Sequence, residues 1–207
     1  MTNGSATSIR LLRHADTGAG CRGRFIGSTD VPLDAGGREK IVVLARRVAA
    51  EKPDRIFCSP LRRARETAEP VAALLGLELE PDPDLREIDF GRWEGMTFEA
   101  IRASAPHAVE RWARFDPGFA FPGGEAIGDF LARVRRAADR MARCGGASVL
   151  AVTHGGVIRS LICHFLGLSP RHYLLFDVRP AWLTAIALHG GKGVLAGMCD
   201  PCCGGAT

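Results

Sequence analysis

The sequence has no hydrophobic run long enough to cross a membrane and only a small excess of one charge, a net +4 over 207 residues. Its first residues, Met1 to Ser8, are small and polar and lack the apolar core of a signal peptide. The arginines are spread over the predicted helices and form no basic block of the kind that binds nucleic acid. We therefore expect a soluble cytoplasmic protein with no membrane or nucleic-acid partner, and a small anionic substrate fits this balance of charge.

Motifs of metal and nucleotide chemistry are also absent. The sequence has no H-E-x-x-H pair, no paired-aspartate cluster and no P-loop, so we expect no cofactor and no metal site. The seven cysteines are an odd number scattered along the chain, which indicates reduced thiols rather than a disulfide framework. Cys199, Cys202 and Cys203 could hold half a metal site, but no second pair of ligands follows. A disordered or thiol-bearing tail is the preferred interpretation.

The residues that are present form an alternation of strand-like and helix-like segments. Short apolar runs predict strands at Ile9–Leu12, Arg55–Cys58 and Val149–Val152, with a terminal hairpin of Trp182–Leu188 and Val194–Met198. Apolar positions three and four residues apart predict helices around 41–48, 64–71, 127–141 and 157–165. This order predicts an α/β fold of three layers, a mostly parallel central sheet with helices on both faces.

Residues 1–198 form a single domain in this interpretation, with 1–8 disordered and 199–207 a Cys/Gly-rich tail. The proline-rich stretch 81–122 predicts an irregular excursion over the edge of the sheet, with one or two short helices within it. Ser59 is expected to cap the second helix. The polar face of the helix at 127–141 is expected to hold its arginines, Arg133, Arg136 and Arg140, in water.

Residues that carry chemistry follow three of the predicted strands at once. Arg13 and His14 follow the first, the segment 59–68 (SPLRRARETA) follows the second, and the segment 153–156 (THGG) follows the later buried strand. Ligands bind at the carboxyl ends of strands in open α/β sheets. If these strands are parallel, two histidines and at least two arginines meet in one crevice.

The segment 12–17 (LRHADT) resembles the signature of the histidine phosphatase (phosphoglycerate-mutase-like) superfamily. Further segments resemble later motifs of that family in the same order: 24–27 (RFIG), 30–37 (DVPLDAGG), 59–68, 85–95 (LREIDFGRWEG), 122–125 (PGGE) and 153–156. The resemblance spans roughly residues 9–190, which is far more specific than one motif. It implies a phosphoglycerate-mutase-like fold and a metal-independent phosphatase.

The resemblance also implies roles for individual residues. His14 attacks phosphorus and forms a phosphohistidine, Arg13 and Arg63 clamp the phosphate, and His154 adds a donor. Glu87 protonates the leaving oxygen and then activates water. Gly155 opens a helix whose N-terminus attracts anions. The competitors are Arg62 and Arg65 for Arg63, and Asp89 and Glu94 for Glu87; motif spacing favours Arg63 and Glu87.

The sequence departs from the family pattern at several positions. Ala15 replaces the usual glycine, Asp16 is shorter than the usual residue, and Ala126 replaces a serine. Gly20 stands where many members place an asparagine that contacts phosphate. We expect Arg22 or Arg24 to supply that contact, since a guanidinium fork reaches phosphate oxygens from a loop.

These features predict a phosphomonoester hydrolase that acts on a small phosphorylated metabolite, with α-ribazole 5'-phosphate or a sugar phosphate as candidates. Phosphoglycerate mutase is the alternative reaction, but mutases of the family carry a longer insertion between the positions of Gly95 and His154. A non-catalytic phospholigand-binding protein is the alternative of another class. The sequence leaves the oligomeric state open, a homodimer included.

Overall fold

A six-stranded sheet organises the residues that the computed structural model describes, 7–116 and 118–202. Its strands are β1 (Thr7–Arg13), β2 (Arg55–Cys58), β3 (Leu79–Pro81), β4 (Ser148–Thr153), β5 (Leu183–His189) and β6 (Lys192–Cys199). They lie side by side in the order β3-β2-β4-β1-β5-β6. The first four in this order are parallel to one another, β5 is antiparallel to β1, and β6 is antiparallel to β5. The prediction of a mostly parallel sheet with a terminal hairpin is confirmed.

Helices cover both faces of this sheet. They are α1 (Ala35–Ala50), α2 (Arg62–Leu75), α3 (Phe98–Ser104), α4 (Pro106–Ala113), α5 (Ile127–Ala142) and α6 (Gly155–Phe165). Side chains of β4 alternate between two cores: Leu150 and Val152 pack with α1 and α2, and Val149 and Ala151 pack with α5 and α6. Because successive strand side chains point to opposite faces, this alternation requires an apolar layer on each side. The predicted three-layer architecture is confirmed.

Residues near both ends of the described part of the chain make defined contacts. Strand β1 begins at Thr7 rather than Ile9, because Thr7 and Ser8 pair with β5 and the Thr7 hydroxyl accepts from Gly146 N at 3.1 Å. The remainder of the segment expected to be disordered, 1–6, lies outside the described residues. In the tail, Asp200 lies 2.9 Å from Lys40 Nζ and Cys202 packs against the core of α1 and α2. Cys203 and the residues after it lie outside the described part of the chain.

One local expectation is wrong. Ser59 does not cap α2: the helix starts at Arg62 after Leu61, and the Ser59 hydroxyl bonds to a histidine instead. The stretch 81–122 contains α3, α4 and two 3₁₀ turns, in agreement with the one or two short helices expected there. Four of its aromatic side chains, Trp93, Phe115, Phe119 and Phe121, are buried in the core shared with α5 and α6. No helix among residues 7–116 and 118–202 is long and apolar enough to span a membrane.

Candidate active site

The parallel register places the three candidate segments side by side. Arg13 at the end of β1 pairs with Thr153 at the end of β4, and Cys58 at the end of β2 pairs with Val152. His14 N donates to Thr153 O at 2.9 Å, which continues the ladder by one residue into the candidate site. The sheet therefore brings the segments after β1, β2 and β4 to one edge, as the strand order predicts.

His14 is buried, with 7% of its surface exposed. Its Nδ1 lies 2.7 Å from Ala15 O. Since a carbonyl oxygen can only accept, Nδ1 carries the proton and Nε2 keeps its lone pair when the ring is neutral. Burial lowers the pKa of His14 well below its ordinary value, and the positive charges of Arg13 and Arg63 lower it further. The imidazole is therefore neutral near pH 7, with a nucleophilic Nε2.

Two arginines lie beside His14 without a carboxylate partner among the described residues. Arg63 is 1% exposed and donates to Gly27 O at 2.7 Å and to Thr29 O at 2.8 Å. Arg13 donates to Val178 O at 2.6 Å, and its buried Nε has no hydrogen-bond partner in the described structure. Burial lowers the pKa of both guanidinium groups. Positive charge that only neutral acceptors meet remains available to an anion.

The competitors of Arg63 occupy a different environment. Arg62 lies 2.5 Å from Glu66 Oε1, and Arg65 lies 3.2 Å from Glu69 Oε1, both on the solvent side of α2. Each is an exposed ion pair between residues one helical turn apart. Such pairs contribute little to stability, and each arginine charge is compensated by its glutamate. Arg63 is the arginine of this segment that faces His14.

His154 is fully buried, and its ring lies 5.1 Å from that of His14 between centroids. Its Nδ1 accepts from Arg63 Nε at 3.2 Å, so Nε2 carries the proton and donates to Ser59 Oγ at 2.7 Å. Burial and the charge of Arg63 lower the pKa of His154 well below its usual range. In this state His154 orients Arg63. A donation from Nε2 to phosphate, as the family pattern implies, requires that the Ser59 bond be released.

Glu87 carries its carboxylate at the N-terminus of α6. Oε2 accepts from Gly156 N at 3.0 Å and Oε1 accepts from Ile88 N at 3.1 Å. A Cβ at position 156 would lie 2.6 Å from Glu87 Oε1, so a side chain there would displace the Glu87 carboxylate from this position. The amide that meets the Glu87 carboxylate is that of Gly156, and the contact of the Gly155 amide with a substrate anion stays a prediction. Gly155 lies against Arg13, where a Cβ would be 3.4 Å from Cζ.

Asp89 and Glu94, the competitors of Glu87, hold loops. Glu94 accepts from the amides of Gly27 and Ser28, at 3.1 and 3.0 Å. Asp89 Oδ1 accepts from the Ser28 hydroxyl and from Gly91 N. Because the carbonyl of Gly27 in turn accepts from Arg63, these carboxylates position Arg63 indirectly.

Arg133 contradicts its expected place in water: it is buried, with 6% of its surface exposed. Its guanidinium pairs with Glu125 at 2.6 Å and donates to the carbonyls of Arg86 and Glu87, at 2.5 and 3.0 Å. The helical pattern could not reveal this, because Glu125 lies before the start of α5 and the two carbonyls come from a loop more than forty residues away. Arg133 braces the backbone that carries Glu87. Arg140 also leaves the predicted solvent face to pair with Asp82 at 2.7 Å.

Gly20 lies in open space, since a Cβ at this position would meet no atom within 4 Å. Arg22 and Arg24, the candidate replacements for the missing asparagine, both line a cavity of about 290 Å³ against His14. Arg24 also donates to Gly95 O at 2.7 Å. Both arginines are therefore near the site, and Arg24 is the one anchored to a neighbouring loop.

A second cavity, of about 320 Å³, adjoins the first and shares Arg13 and Arg24 with it. It is also lined by Glu87, Gly155 and Arg159. Its remaining walls include seven aromatic side chains: Phe25, Phe90, Trp112, Phe115, Phe121, Phe130 and Tyr173. No motif of the sequence predicted this cavity, because its walls come from loops and helices far apart along the chain.

A neutral histidine between arginines without carboxylate partners, at the carboxyl edge of a parallel sheet, defines a phosphate-binding α/β protein. The model of the histidine phosphatase superfamily (branch 1) matches residues 9–201. The chain belongs to this superfamily.

Several relatives have names that state an activity. A glucosyl-3-phosphoglycerate phosphatase of Mycobacterium tuberculosis is 35% identical over 172 residues, which cover 79% of this chain and 77% of that protein. A bifunctional protein of the same species is 38% identical over 166 residues, and the match covers 77% of this chain. The chain spans less than half of that larger relative, 44% of its length.

Solved structures share the fold over nearly the whole chain. The α-ribazole phosphatase of Shigella flexneri superposes with a TM-score of 0.83 at 27% identity, covering 97% of this chain and all of that one. The mycobacterial glucosyl-3-phosphoglycerate phosphatase in complex with inorganic phosphate superposes with a TM-score of 0.80 at 30% identity, covering 92% of this chain and 95% of that one.

Proposed function

We propose that the protein is a phosphomonoester hydrolase that acts on a small phosphorylated metabolite through a phosphohistidine on Nε2 of His14. The observation that carries this proposal is the state of His14. The ring is buried and neutral, its Nδ1–H is fixed on Ala15 O, and its free Nε2 lies between two arginines that no carboxylate neutralises. A nucleophile and a preorganised positive environment are what phosphoryl transfer requires.

The first half of the reaction transfers the phosphoryl group to His14. As Nε2 forms its bond to phosphorus, the bond from phosphorus to the alcohol oxygen breaks, and Glu87 donates its proton to that oxygen. Arg13 and Arg63 stabilise the charge that spreads over the phosphoryl oxygens. The bond from Nδ1–H to Ala15 O stabilises the positive ring that forms. Arg22 or Arg24 supplies a further donor from the loop after Gly20.

The second half returns the enzyme to its starting state. Glu87, now a carboxylate, takes a proton from water while the water oxygen attacks phosphorus. The bond from Nε2 to phosphorus breaks, inorganic phosphate leaves, and His14 is neutral again. One carboxyl group serves both halves, because the proton lost in the first is recovered in the second. No step needs a metal ion or a cofactor.

Hydrolysis is favoured over phosphoglycerate mutase by the segment between Gly95 and His154. That segment consists of α3, α4, α5 and β4, and its longest connection covers residues 114–126. It lacks a longer insertion of the kind that retains a bisphosphate and excludes water in mutases. The cavity beside His14 is large enough for the alcohol half of a metabolite. α-Ribazole 5'-phosphate, which has an aromatic base, and a sugar phosphate are both retained as candidate substrates.

The decisive experiment is to trap the intermediate in wild type and in His14→Ala. Labelled substrate followed by an alkaline quench should yield a phosphoenzyme that is stable to base and labile to acid in wild type. His14→Ala should show no label and no turnover, because it removes the nucleophile. His107→Ala is the matched control, since that side chain is 95% exposed and far from the described contacts of the site.

Three outcomes would contradict the proposal. Label that survives acid, or that persists in His14→Ala, would place the nucleophile elsewhere. A wild-type protein that binds phosphate esters but turns none of them over would instead be the non-catalytic phospholigand-binding protein. Net transfer of the phosphoryl group between hydroxyls without release of phosphate would indicate a mutase.

A further inference from the structure

The aromatic cavity contains a guanidinium group that the proposed reaction does not use. Arg159 lies on α6, is half-buried and lines this cavity. Its Nε donates to Phe176 O at 2.9 Å. Among the described residues, no carboxylate lies within ion-pair distance of Arg159, and its two terminal nitrogens make no hydrogen bond. The donor pair at the end of this side chain is therefore available to a ligand.

Helix geometry fixes where this group lies relative to the phosphate. Gly155, the first residue of α6, contacts Arg13. Arg159 is four residues further along, so it projects from nearly the same side of the helix about 6 Å along its axis. The charge of Arg159 contributes to lowering the pKa of Arg13, which is consistent with this proximity. Arg159 thus lies one helical turn beyond the phosphate-binding arginine, towards the leaving group.

Tyr173 adds a second donor to the same part of the cavity. It is the single tyrosine of the chain, and its ring packs 4.8 Å from that of Phe115. Its hydroxyl has no hydrogen-bond partner in the structure described. Burial raises the pKa of Tyr173, so the hydroxyl stays protonated, and the charge of Arg159 acts on it as well. Two donors without an acceptor therefore face a cavity whose other walls are aromatic.

Within the described part of the chain, the charged side chains of the cavity leave Arg159 without an anionic partner. It is lined by three arginines, Arg13, Arg24 and Arg159, but by one carboxylate, Glu87. Arg13 and Arg24 also line the cavity against His14, where a phosphate group would compensate them. Arg159 does not, and a partly desolvated cation without a partner is unfavourable unless a ligand supplies the anion. The aromatic walls favour a planar or apolar body between the two anionic ends.

We propose that Arg159, together with the Tyr173 hydroxyl, binds a second anionic group, a carboxylate, on the alcohol half of the substrate. This inference rests on the proposed phosphatase function and makes Arg159 a specificity-determining residue. The substrate class is a phosphomonoester whose alcohol carries a carboxylate and a planar or apolar body. α-Ribazole 5'-phosphate meets the aromatic walls but brings no carboxylate to Arg159.

The test compares two aryl phosphates of matched size, 4-carboxyphenyl phosphate and 4-carbamoylphenyl phosphate, which differ in the charge offered to Arg159. Wild type should prefer the carboxylate in kcat/KM. Arg159→Gln should lower kcat/KM for the carboxylate by roughly 10- to 100-fold, the range for a lost charge-assisted hydrogen bond, mainly through a higher KM. The carbamoyl compound should change by less than about threefold, because a neutral amide gains little from the guanidinium charge. Arg159→Lys should restore part of the preference.

Arg135→Gln is the matched control: Arg135 is exposed on α5 and lines neither cavity. A wild type without preference, or an Arg159→Gln that slows both compounds equally, would overturn the inference while turnover left the phosphatase function standing. The same pair as non-hydrolysable benzylphosphonates, measured by calorimetry, tests binding without turnover. If wild type hydrolyses neither ester, the phosphatase function fails, and the calorimetric ratio still supports or overturns the role of Arg159.

Discussion

Arginine meets different partners in the site and beside α5. The site arginines, Arg13 and Arg63, donate to backbone carbonyls and have no carboxylate within ion-pair distance in the described structure. The α5 arginines, Arg133 and Arg140, pair with Glu125 and with Asp82 and Asp84. A guanidinium that donates only to neutral acceptors has no counter-charge and can bind an anionic ligand. The charge of a guanidinium paired with carboxylates is already compensated, and the pair holds the fold together.

Carboxylates follow the same division. Glu87 lies near Arg13 and Arg63, but it accepts from the amides of Ile88 and Gly156 and forms no ion pair with either arginine. The carboxylates beside α5, Glu125, Asp82 and Asp84, all form ion pairs with arginines. In the site, both signs of charge are thus held by backbone groups and remain separate. In the reaction we propose, this separation lets the arginine pair bind phosphate while the neighbouring carboxyl group moves a proton.

The largest expected effect tests the carboxylate of the site. Glu87→Gln should slow hydrolysis of alkyl phosphates by roughly 10²- to 10⁴-fold, the range for a lost general acid. An aryl phosphate with a good leaving group needs no proton, so its phosphorylation step should be affected far less. Water still lacks a base, and phosphoenzyme should therefore accumulate as a burst in rapid-quench measurements. The control is Glu78→Gln, an exposed glutamate on the way to β3.

Equal slowing of the phosphorylation step for alkyl and aryl esters would contradict the acid role of Glu87. Asp89 or Glu94 would then be the candidate general acid. Those side chains accept from loop amides, so their substitution should alter stability as well as rate.

A matched pair of arginine substitutions tests the contrast directly. Arg13→Met should lower kcat/KM by roughly 10²- to 10³-fold, the cost of removing a donor to transition-state charge. Its effect on stability should be small. Arg140→Met should leave kcat/KM within about threefold, but it should cost about 1 to 3 kcal/mol of unfolding free energy, because Asp82 and Asp84 lose a charged donor. Steady-state kinetics and urea denaturation of both variants measure these effects.

Reversal of the two profiles would break the distinction between site and α5 arginines. A large catalytic loss in Arg140→Met, without loss of stability, would show that the α5 cluster acts on the reaction through Asp84 and the backbone of Glu87. That result would make the bracing by Arg133 part of the catalytic machinery.

The smallest effect concerns pH, where the two regions respond in separate windows. Burial and arginine charges lower the pKa of His14 and His154, so the unfolded chain binds more protons than the folded one below about pH 6.5. Stability should therefore fall on acidification, by up to about 1.4 kcal/mol per pH unit for each histidine. Denaturation curves at pH 8, 7, 6 and 5 measure this slope, and His14→Asn should reduce it by about one proton.

The α5 cluster should not contribute in that window. Burial alone would raise the pKa of Asp84, but hydrogen bonds from Arg136 and Arg140 outweigh it and lower the pKa. A depressed carboxyl pKa stabilises the fold above the unfolded value, about 3.9, and this stabilisation is lost only as pH falls through the folded pKa. An unchanged slope between pH 7 and 5 in His14→Asn would contradict the assignment of a low pKa to His14.

Sequence alone determined the layered fold and the site motifs. Period-2 strands and period-3.6 helices specify which face of each element is apolar, and these patterns placed β1, β2, β4, α1, α5 and α6 close to where the structure has them. Because strands that alternate with helices run parallel, the same pattern implied that Arg13, His14, Arg63 and His154 meet at one edge. The resemblance to the superfamily supplied the expected roles of these residues.

Only the tertiary structure showed which groups the buried polar side chains contact and which segments form the aromatic cavity. Arg133 was expected in water because the helical pattern of α5 cannot show Glu125 or the carbonyls of Arg86 and Glu87, which arrive from other loops. Ser59 was expected to cap α2, but the buried Nε2–H of His154 provides its partner. The aromatic cavity with Arg159 and Tyr173 is assembled from segments more than a hundred residues apart. Local patterns fix local structure, whereas the partner of a buried polar group depends on which distant segments the fold brings to it.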